Sequence, residues 1–305
     1  MRVSGPLLIA IAAILWGIDG IVRRSLYSLP SISIVFYEHV IGAIILLPFF
    51  LRVFRREQLT SREWWAISFV AFTSGVLGTL FFTKALAAVN FIPFSVVFLL
   101  QKLQPIFAVA AGAVVLRERP TRAYWLWAAV AMFAAYFVTF PGGVVHFSDG
   151  SFVAAIFAIL AALCWGVDTA ISRYTLLNHS SVFITGIRFL LTILFAIPFV
   201  FLLGGVTSAS AIDTSQLLRF VFIAVSSGMV ALWLYYRGLK QTATGVSTIV
   251  ELLFPLTAIL IDFFVYDSTL QTSQYFAALV LLVAVYQVAK LNRSVRMPAA
   301  ADLVR

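Results

Sequence analysis

Two apolar segments, half a chain apart, decide the fold of this protein. Residues 5–22 read GPLLIAIAAILWGIDGIV, and residues 151–171 read SFVAAIFAILAALCWGVDTAI. Each is close to the ~20 apolar residues that an α-helix needs to cross the hydrocarbon core of a bilayer. Both carry the pattern Trp-Gly-x-Asp, at 16–19 and at 165–168. The chain therefore contains two related segments that are each predicted to cross a membrane.

The composition shows that these segments belong to a larger set. Of the 305 residues, 62% are apolar and 11% are charged, whereas a soluble domain is about half apolar and about a quarter charged. The sequence therefore predicts an all-α integral membrane protein with ten transmembrane helices, and this excludes a soluble enzyme. The ten apolar runs lie at 5–22, 32–51, 64–83, 93–116, 124–141, 151–171, 182–203, 217–236, 245–266 and 274–290.

The sequence contains few residues that could bind a metal ion, bind a nucleotide or act as a nucleophile. The single cysteine, Cys164, excludes an internal disulfide, and the three histidines (His39, His146 and His179) lack the spacing of metal ligands. The sequence has no phosphate-binding loop, dinucleotide fingerprint or Ser-His-Asp order. We therefore predict no metal, no cofactor and no enzymatic activity, and we expect any driving force to be a gradient rather than ATP hydrolysis by this chain.

The distribution of the net charge of +9 predicts the orientation. The cations lie in short loops, which is the positive-inside pattern of a membrane protein rather than a nucleic-acid surface. With ten spans, both termini and the even-numbered loops lie on one side, which carries 15 Lys and Arg residues. The other side carries four, namely Arg23, Arg24, Lys84 and Arg219. We therefore predict cytoplasmic termini, a location in the cytoplasmic (inner) membrane, and no nucleic-acid partner.

The two halves match at several ordered positions. Arg24 and His39 recur as Arg173 and Arg188, at the same shift of 149 residues as the Trp-Gly-x-Asp motif. Further matches, at shifts of 150 to 153 residues, are Gln101-x-x-x-Pro105 with Glu251-x-x-x-Pro255, Ser74-Gly75 with Ser227-Gly228, and Lys84 with Arg237.

The repeat has a consequence for topology. Each repeat holds five spans, and this odd number inserts the second repeat in the opposite orientation. Inverted repeats of this kind are typical of secondary transporters, with the substrate near the bilayer midplane. We divide the chain into a first five-helix repeat at 1–145, a second at 146–292, and a cytoplasmic tail at 293–305.

These motifs resemble the EamA family of the drug/metabolite transporter superfamily. The resemblance rests on the ten spans in two halves, the two Trp-Gly motifs, Arg188 with His39 opposite, and Glu251-Leu-Leu-Phe-Pro255-Leu in span nine. It implies a central cavity surrounded by spans 1–4 and 6–9, with spans 5 and 10 at the periphery. Family members carry amino acids, drugs, sugars or other metabolites, and many are exporters. This chain departs from the pattern in having Gln101 and Lys102 where the second half has Glu251, and Asp267 where the first half has Glu118.

Ionisable residues inside the spans are the candidate site. Each costs several kcal/mol at the bilayer centre unless it faces a cavity or a partner. We expect Asp19 and Asp262 to lie close enough to an interface for solvation. An alternative for the deeper residues is static ion pairing, such as Glu38 with Arg188 or Lys102 with Glu251. The predicted substrate-binding residues are Trp16, Asp19, Glu38, His39, Gln101, Lys102, Trp165, Asp168, Arg188 and Glu251.

Prolines and aromatic residues add to this prediction. Pro105 and Pro255 each remove the donor to the carbonyl four residues earlier, so we expect helix kinks beside Gln101 and Glu251. Trp16 and Trp165 precede Asp19 and Asp168 by three residues and share a helix face with them, which suits an aromatic wall of a binding site. Ordinary kinks and ordinary packing are the alternatives. Membrane-interface anchors are predicted at Tyr235-Tyr236 and Trp64-Trp65.

The sequence thus favours a secondary transporter of small organic metabolites that works by alternating access around a midplane cavity, with export as the favoured direction. The mixture of acids and cations favours amino acids or similar zwitterions, and the buried carboxylates with His39 favour proton coupling. The alternatives are an antiporter of phosphorylated or anionic metabolites and, in another class, an intramembrane lipid-modifying enzyme. The expected partners are a small-molecule substrate and the lipid bilayer, and a homodimer is left open.

The orientation is testable with reporter fusions. A reporter that is active only in the periplasm is expected to be inactive when fused after Arg305, because the 15-to-4 cation count retains that end in the cytoplasm. The same reporter inserted after Ala88, in the third loop, is expected to be active. Periplasmic activity of the Arg305 fusion would contradict the predicted topology.

Overall fold

A computed structural model of the chain describes residues 4–88, 93–115, 121–144, 150–176, 179–205, 212–239, 250–251 and 253–291. Within these ranges the regular structure is entirely helical. The predicted tail 293–305, the boundary at 145/146 and the beginning of the ninth apolar run lie outside the described residues.

The described helices follow the predicted apolar runs. In the first half they are α1 (Gly5–Arg24), α2 (Ser31–Phe54), α3 (Ser61–Val70), the π-helical segment π1 (Ala71–Gly78), α4 (Thr79–Ala87), α5 (Phe94–Gln101), α6 (Gln104–Val115) and α7 (Arg122–Thr139). In the second half they are α8 (Ser151–Leu176), α9 (Ser181–Leu202), α10 (Thr214–Ile223), the π-helical segment π2 (Ala224–Val230), α11 (Ala231–Leu239), α12 (Leu253–Val265) and α13 (Thr272–Leu291).

Six helical stretches are long and apolar enough to cross a membrane. They are Gly5–Arg24, Ser31–Phe54, Ser61–Ala87, Ser151–Asp168, Val182–Leu202 and Thr214–Tyr235. Shorter apolar helices lie at Phe94–Ala108, Leu253–Val265 and Thr272–Val288. The protein is therefore an all-helical membrane protein in its described part, while the full count of ten spans stays a prediction.

Matching capping boxes begin the third span of each half. The Thr60 hydroxyl accepts from the Glu63 N–H, and the Glu63 carboxylate accepts from the Thr60 N–H at 2.8 Å. In the second half Asp213 accepts from the Gln216 N–H at 2.7 Å, and Gln216 accepts in return. Each box satisfies N–H groups that a helix start leaves open. The two boxes are 153 residues apart, which is the shift of the Ser-Gly matches within the same spans.

Close glycine contacts hold equivalent helix pairs together. A Cβ at Gly17 of α1 would lie 2.7 Å from the Thr257 side chain of α12. A Cβ at Gly166 of α8 would lie 2.6 Å from the Gln104 carbonyl and 2.8 Å from Phe107, both on α6. Thr257 and Phe107 are themselves 150 residues apart. The glycine of each Trp-Gly motif is thus required because a neighbouring helix approaches its backbone.

The helices fall into four packed groups. Helix α1 packs against α11 and α12, while α8 packs against α3, π1, α4, α5 and α6. Helices α2 and α9 pack against each other, and so do α7 and α13. Helix α5 also contacts α12, so it joins the first two groups. Helix α5 therefore lies between these groups and also contacts α7, while α6 packs against α8 and α13.

A polar cluster outside the spans ties the end of α2 to the start of α9. The Glu57 carboxylate accepts hydrogen bonds from the Ser180 N–H at 2.9 Å, from the Ser180 hydroxyl, and from His179 Nδ1 at 3.2 Å. Burial alone would raise the pKa of Glu57, but these hydrogen bonds outweigh it and hold the pKa below its ordinary value. Glu57 is thus an anion whose contribution to stability is present above the ordinary pKa of a glutamate and is lost as the pH falls through its lowered pKa.

Candidate functional site

Two tryptophans join the halves at equivalent points. Trp16 Nε1 donates to the Ser227 carbonyl of π2 at 3.1 Å, and Trp165 Nε1 donates to the Ser74 carbonyl of π1 at 3.2 Å. A carbonyl oxygen has two lone pairs, so each can accept an indole in addition to a donor within its own helix. Each indole comes from the opposite half to its acceptor. The Trp-Gly motif of each half thus contacts the Ser-Gly motif of the other half, which explains why both motifs occur twice.

The two π segments differ in the space beside them. A Cβ at Gly75 of π1 would lie 2.1 Å from the Thr192 hydroxyl of α9. A Cβ at Gly228 of π2 would lie 3.8 Å from Phe189, the nearest side chain among the described residues. The π helix is a rare conformation that is frequent at functional sites. Among the described residues, π1 is thus packed more tightly at its glycine than π2 is.

Arg23 is the centre of the first polar cluster. Its Nε lies 3.2 Å from Asp19 Oδ2, and its Nη1 donates to Glu38 Oε2 at 2.8 Å and to the Thr83 hydroxyl at 3.3 Å. The Ser227 hydroxyl donates to Asp19 Oδ1 at 2.9 Å. Two carboxylates thus share one buried guanidinium, and the cluster links α1, α2, α4 and π2.

This cluster corrects three sequence predictions. Arg23 is buried rather than in a solvated loop, and Asp19 is only 5% exposed rather than solvated at an interface. Glu38 pairs with Arg23, not with Arg188. The physical reason is that Arg23 lies one helical turn after Asp19, so its long side chain folds back along α1 instead of extending beyond the helix end.

Asp168 and Arg188 form the second polar cluster around π1. The Thr73 hydroxyl donates to Asp168 Oδ1 at 2.7 Å, and Arg188 Nη2 donates to the Ser74 hydroxyl at 2.7 Å. Arg188 is close enough for its charge to act on Asp168. The second cluster is therefore built differently from the first, although Asp19 and Asp168 are equivalent in sequence. Position 172, which matches Arg23 at the shift of 149 residues, is a serine.

The residues around Pro105 and Pro255 do not form the suggested ion pair. Helix α5 ends at Gln101, and the chain turns at Lys102 before α6 begins. Lys102 Nζ lies 5.2 Å from the centre of the Phe254 ring, and Glu251 Oε1 accepts from the Tyr235 hydroxyl at 2.7 Å. Within the described residues no ion pair joins Lys102 to Glu251.

Gln101 and Tyr235 have contacts that the sequence did not indicate. The buried Gln101 side chain donates to the Ala158 carbonyl of α8 at 2.7 Å, so it anchors the end of α5. Tyr235 is not a membrane-interface anchor, since it binds Glu251 and its ring lies 5.2 Å from that of Trp16. The side chain of Tyr236 lies outside the described part. Trp64 and Trp65 are exposed, as expected for anchors.

His39 and Asp262 are both buried. His39 Nδ1 donates to the Val35 carbonyl at 2.8 Å, and its ring lies 5.1 Å from that of Phe189, the neighbour of Arg188. Asp262 is 2% exposed, which corrects the expectation of solvation. Its carboxylate accepts from the backbone N–H groups of Phe94 at 2.9 Å and Ser95 at 2.6 Å. It therefore caps α5, where an anion meets the positive end of the helix dipole.

Aromatic rings line the same region. Besides Trp16 with Tyr235, Trp165 lies 5.3 Å from Phe82, and Phe98 lies 4.7 Å from Phe254, measured between ring centres. Apolar aromatic walls with a few placed polar groups are typical of sites for small organic molecules. A separate hollow of about 230 Å³, the outer hollow, is lined by Tyr37, Ile41, Ile212, Asp213, Thr214, Leu217 and Phe220.

Comparison with known proteins identifies the family. The EamA-like transporter family matches the chain twice, at residues 3–140 and 152–289. The chain belongs to the EamA-like transporter family. This confirms the resemblance derived from the motifs, and it makes the protein a membrane transporter and not an enzyme. The alternative of an intramembrane lipid-modifying enzyme is therefore wrong.

Individual relatives of this EamA-like protein are also transporters. Riboflavin transporter ImpX of Fusobacterium nucleatum is 32% identical over 296 residues, which cover 95% of this chain and 99% of that protein. Pseudopaline exporter CntI of Pseudomonas aeruginosa is 27% identical over 179 residues, covering 58% of this chain and 60% of CntI. A crystal structure with 17% sequence identity superposes with a TM-score of 0.60 over 97% of this chain and 100% of that chain, which shows the fold alone.

The Arg23 cluster yields a stability prediction. We expect Arg23→Met to lower the thermal midpoint in detergent strongly, because breaking a buried ion pair costs roughly 3–5 kcal/mol when it leaves a buried charge without a partner. Arg219→Met is the matched control, since within the described residues the Arg219 side chain makes one hydrogen bond, an exposed contact with the Ser25 carbonyl. We expect this variant to change the midpoint little. The double variant Arg23→Met with Glu38→Gln is expected to recover part of the loss. Wild-type stability of Arg23→Met would contradict the cluster.

Proposed function

We propose that this EamA-like protein carries a planar heteroaromatic metabolite of the flavin type, with riboflavin as the first candidate. The observation that carries the proposal is the 32% identity with a riboflavin transporter, over 95% of this chain and 99% of that protein. A match of nearly full length includes every segment that contributes to the candidate site, so substrate recognition by the same region is the natural expectation.

The chemistry of the site supports this substrate class. A flavin has a broad flat ring system that favours aromatic walls, and a polar edge that requires hydrogen-bond partners. Trp165 and Phe82 provide a wall beside Asp168, and Trp16 and Tyr235 provide another beside Glu251. The candidate site thus combines large apolar area with a few fixed polar atoms.

We propose the predicted architecture for the complete chain: ten spans in two inverted repeats, 1–145 and 146–292, with cytoplasmic termini in the inner membrane. The double family match, the crossed indole contacts and the paired capping boxes support the repeat. The cation count supports the orientation. The packed pair α7 and α13 corresponds to spans 5 and 10, and we expect any homodimer contact there.

Proton coupling and direction are further parts of the proposal. Asp19 and Glu38 together carry one more negative charge than Arg23 neutralises, so protonation of one carboxylate would complete the neutral cluster. The Ser227 hydroxyl donates to Asp19, and the Ser227 carbonyl accepts from Trp16. A change in the protonation of the cluster would therefore be transmitted through Ser227 to the Trp16 ring. Export stays the predicted direction.

Amino acids or similar zwitterions are the second candidate substrates. The observation that favours them is that Lys102 and Glu251 contact aromatic side chains instead of each other, so both charges are available to a zwitterion. Anionic or phosphorylated metabolites are the remaining alternative, since Lys102 and Arg188 are cations within spans.

Counterflow in liposomes tests the proposed function. We expect purified protein in vesicles preloaded with riboflavin to accumulate labelled riboflavin, and vesicles preloaded with pooled amino acids to show no amino-acid counterflow. Glu251→Gln and Lys102→Met are expected to keep near-wild-type thermal midpoints and to reduce flux at least about tenfold, since both residues would contact the substrate.

The matched control for this experiment is Phe264→Leu. Phe264 lies on the same helix as Phe254, but it is exposed on the outside of the protein, so its replacement is expected to leave flux unchanged. Amino-acid counterflow without riboflavin counterflow would contradict the flavin proposal. Wild-type flux in a folded Glu251→Gln protein would remove Glu251 from the site.

A further inference from the structure

Two buried polar atoms in the second cluster have no hydrogen-bond partner within the described residues. They are Asp168 Oδ2 and Arg188 Nε. Buried polar atoms in folded proteins nearly always have partners, so each exception requires an explanation. Three other atoms in the described part share this property, and two of them have other neighbours: the Arg24 guanidinium lies over the Tyr266 ring, and His179 Nε2 lies 3.3 Å from Glu63.

The two atoms are held in place by adjacent residues of π1. Thr73 fixes the other carboxylate oxygen of Asp168, and Ser74 fixes the terminal nitrogen of Arg188, both at 2.7 Å. The Ser74 hydroxyl also acts on the Asp168 carboxylate. Each charged group is therefore anchored by π1, while Asp168 Oδ2 and Arg188 Nε have no hydrogen-bond partner of their own among the described residues. One open atom is an acceptor and the other is a donor. Asp168 is only 3% exposed, so bulk water is not its natural partner.

The equivalent aspartate in the first half, Asp19, has no unpaired carboxylate oxygen. Both oxygens of Asp19 are engaged, one by Arg23 and one by Ser227. The two aspartates are 149 residues apart and begin from the same Trp-Gly-x-Asp motif. Of the two equivalent aspartates, only Asp168 therefore has a carboxylate oxygen that is unpaired within the described residues, and it lies in the second half, near Trp165.

We infer that Asp168 and Arg188 bind the polar edge of the transported ring, with Asp168 accepting from a ring N–H and Arg188 donating to the adjacent C=O. This inference rests on the proposed function and names the atoms that give it specificity. An N–H beside a C=O is the edge of an imide or a cyclic urea, and the ring system of riboflavin carries one. Trp165, three residues before Asp168, provides the wall along the ring face.

This arrangement predicts strong discrimination by a single substituent. Hydrogen bonds to charged groups are stronger than those between neutral groups. A site built to bind an N–H rejects an analogue that lacks it, because the buried acceptor is then left unpaired. A riboflavin analogue methylated at this ring nitrogen keeps the ring face of the substrate, but it loses the donor and places a methyl group against the Asp168 carboxylate.

The experiment compares riboflavin with its N3-methyl analogue as competitors of riboflavin counterflow in liposomes. For the wild-type protein we expect the analogue to compete at least about tenfold more weakly. For Asp168→Ala, which removes the acceptor and the contact with the methyl group, we expect weaker riboflavin binding and little loss of analogue binding, so that the ratio of the two falls towards one. Arg188→Lys, which loses the Nε donor, is expected to weaken riboflavin binding several-fold. Asp213→Asn is the matched control, because asparagine also caps a helix and Asp213 begins α10, which packs mainly against α1, α2 and π2.

The outcomes separate the inference from the proposed function. If wild-type protein catalyses riboflavin counterflow but the two competitors are equally effective, the inference is wrong and the proposed function stands. A folded Asp168→Ala protein that retains the wild-type ratio also overturns the inference. If the wild type moves amino acids and not riboflavin, both are wrong. The wild-type comparison needs no variant, so the result does not depend on the folding of Asp168→Ala.

Discussion

Polar groups inside a bilayer must find their partners within the protein, and this constraint organises the whole molecule. The Arg23 guanidinium satisfies Asp19 and Glu38 and thereby joins α1 to α2. Asp262 satisfies the first N–H groups of α5 and thereby joins α12 to the broken helix pair. Most of the described ionisable side chains in the spans therefore connect helices to one another. The buried polar atoms that have no partner in the described part of the chain are the candidates for contact with a substrate.

The repeat explains why such connections occur in pairs, and its imperfections explain how a site can arise. The indoles of Trp16 and Trp165 donate to π-helical carbonyls of the opposite half, which gives two equivalent junctions. Around these junctions the side chains differ, since Asp19 has a guanidinium partner and Asp168 has a threonine hydroxyl. Because a bound molecule without two-fold symmetry needs different contacts at its two ends, an unequal pair of clusters suits the proposed substrate.

Sequence patterns predicted the helices and the recurring motifs well, because hydropathy and spacing are local properties. The segments around Trp16 and Trp165 were recognised as equivalent, and both are helical with equivalent contacts. The π segments were not predicted, since Ser74-Gly75 and Ser227-Gly228 are compatible with an ordinary helix. The only signal was that both pairs recur at one shift.

The partners of long or deep side chains were beyond prediction, because they depend on which helices become neighbours. The position of Arg23 at the end of an apolar run predicts a loop residue, yet its side chain reaches Glu38 on α2. Asp262 was expected to be solvated because it lies near a helix end, yet that end meets the start of α5. The residue type of Tyr235 predicts an anchor at the membrane interface, yet its hydroxyl donates to Glu251 and its ring packs near that of Trp16.

The most direct measurement of the central claim is an experimental structure of the protein with riboflavin bound. The account predicts the ring system against Trp165, with its N–H and C=O edge within hydrogen-bond distance of Asp168 Oδ2 and Arg188 Nε. A ring bound in the outer hollow beside Tyr37 and Phe220, or one whose polar edge faces away from Asp168, would contradict it.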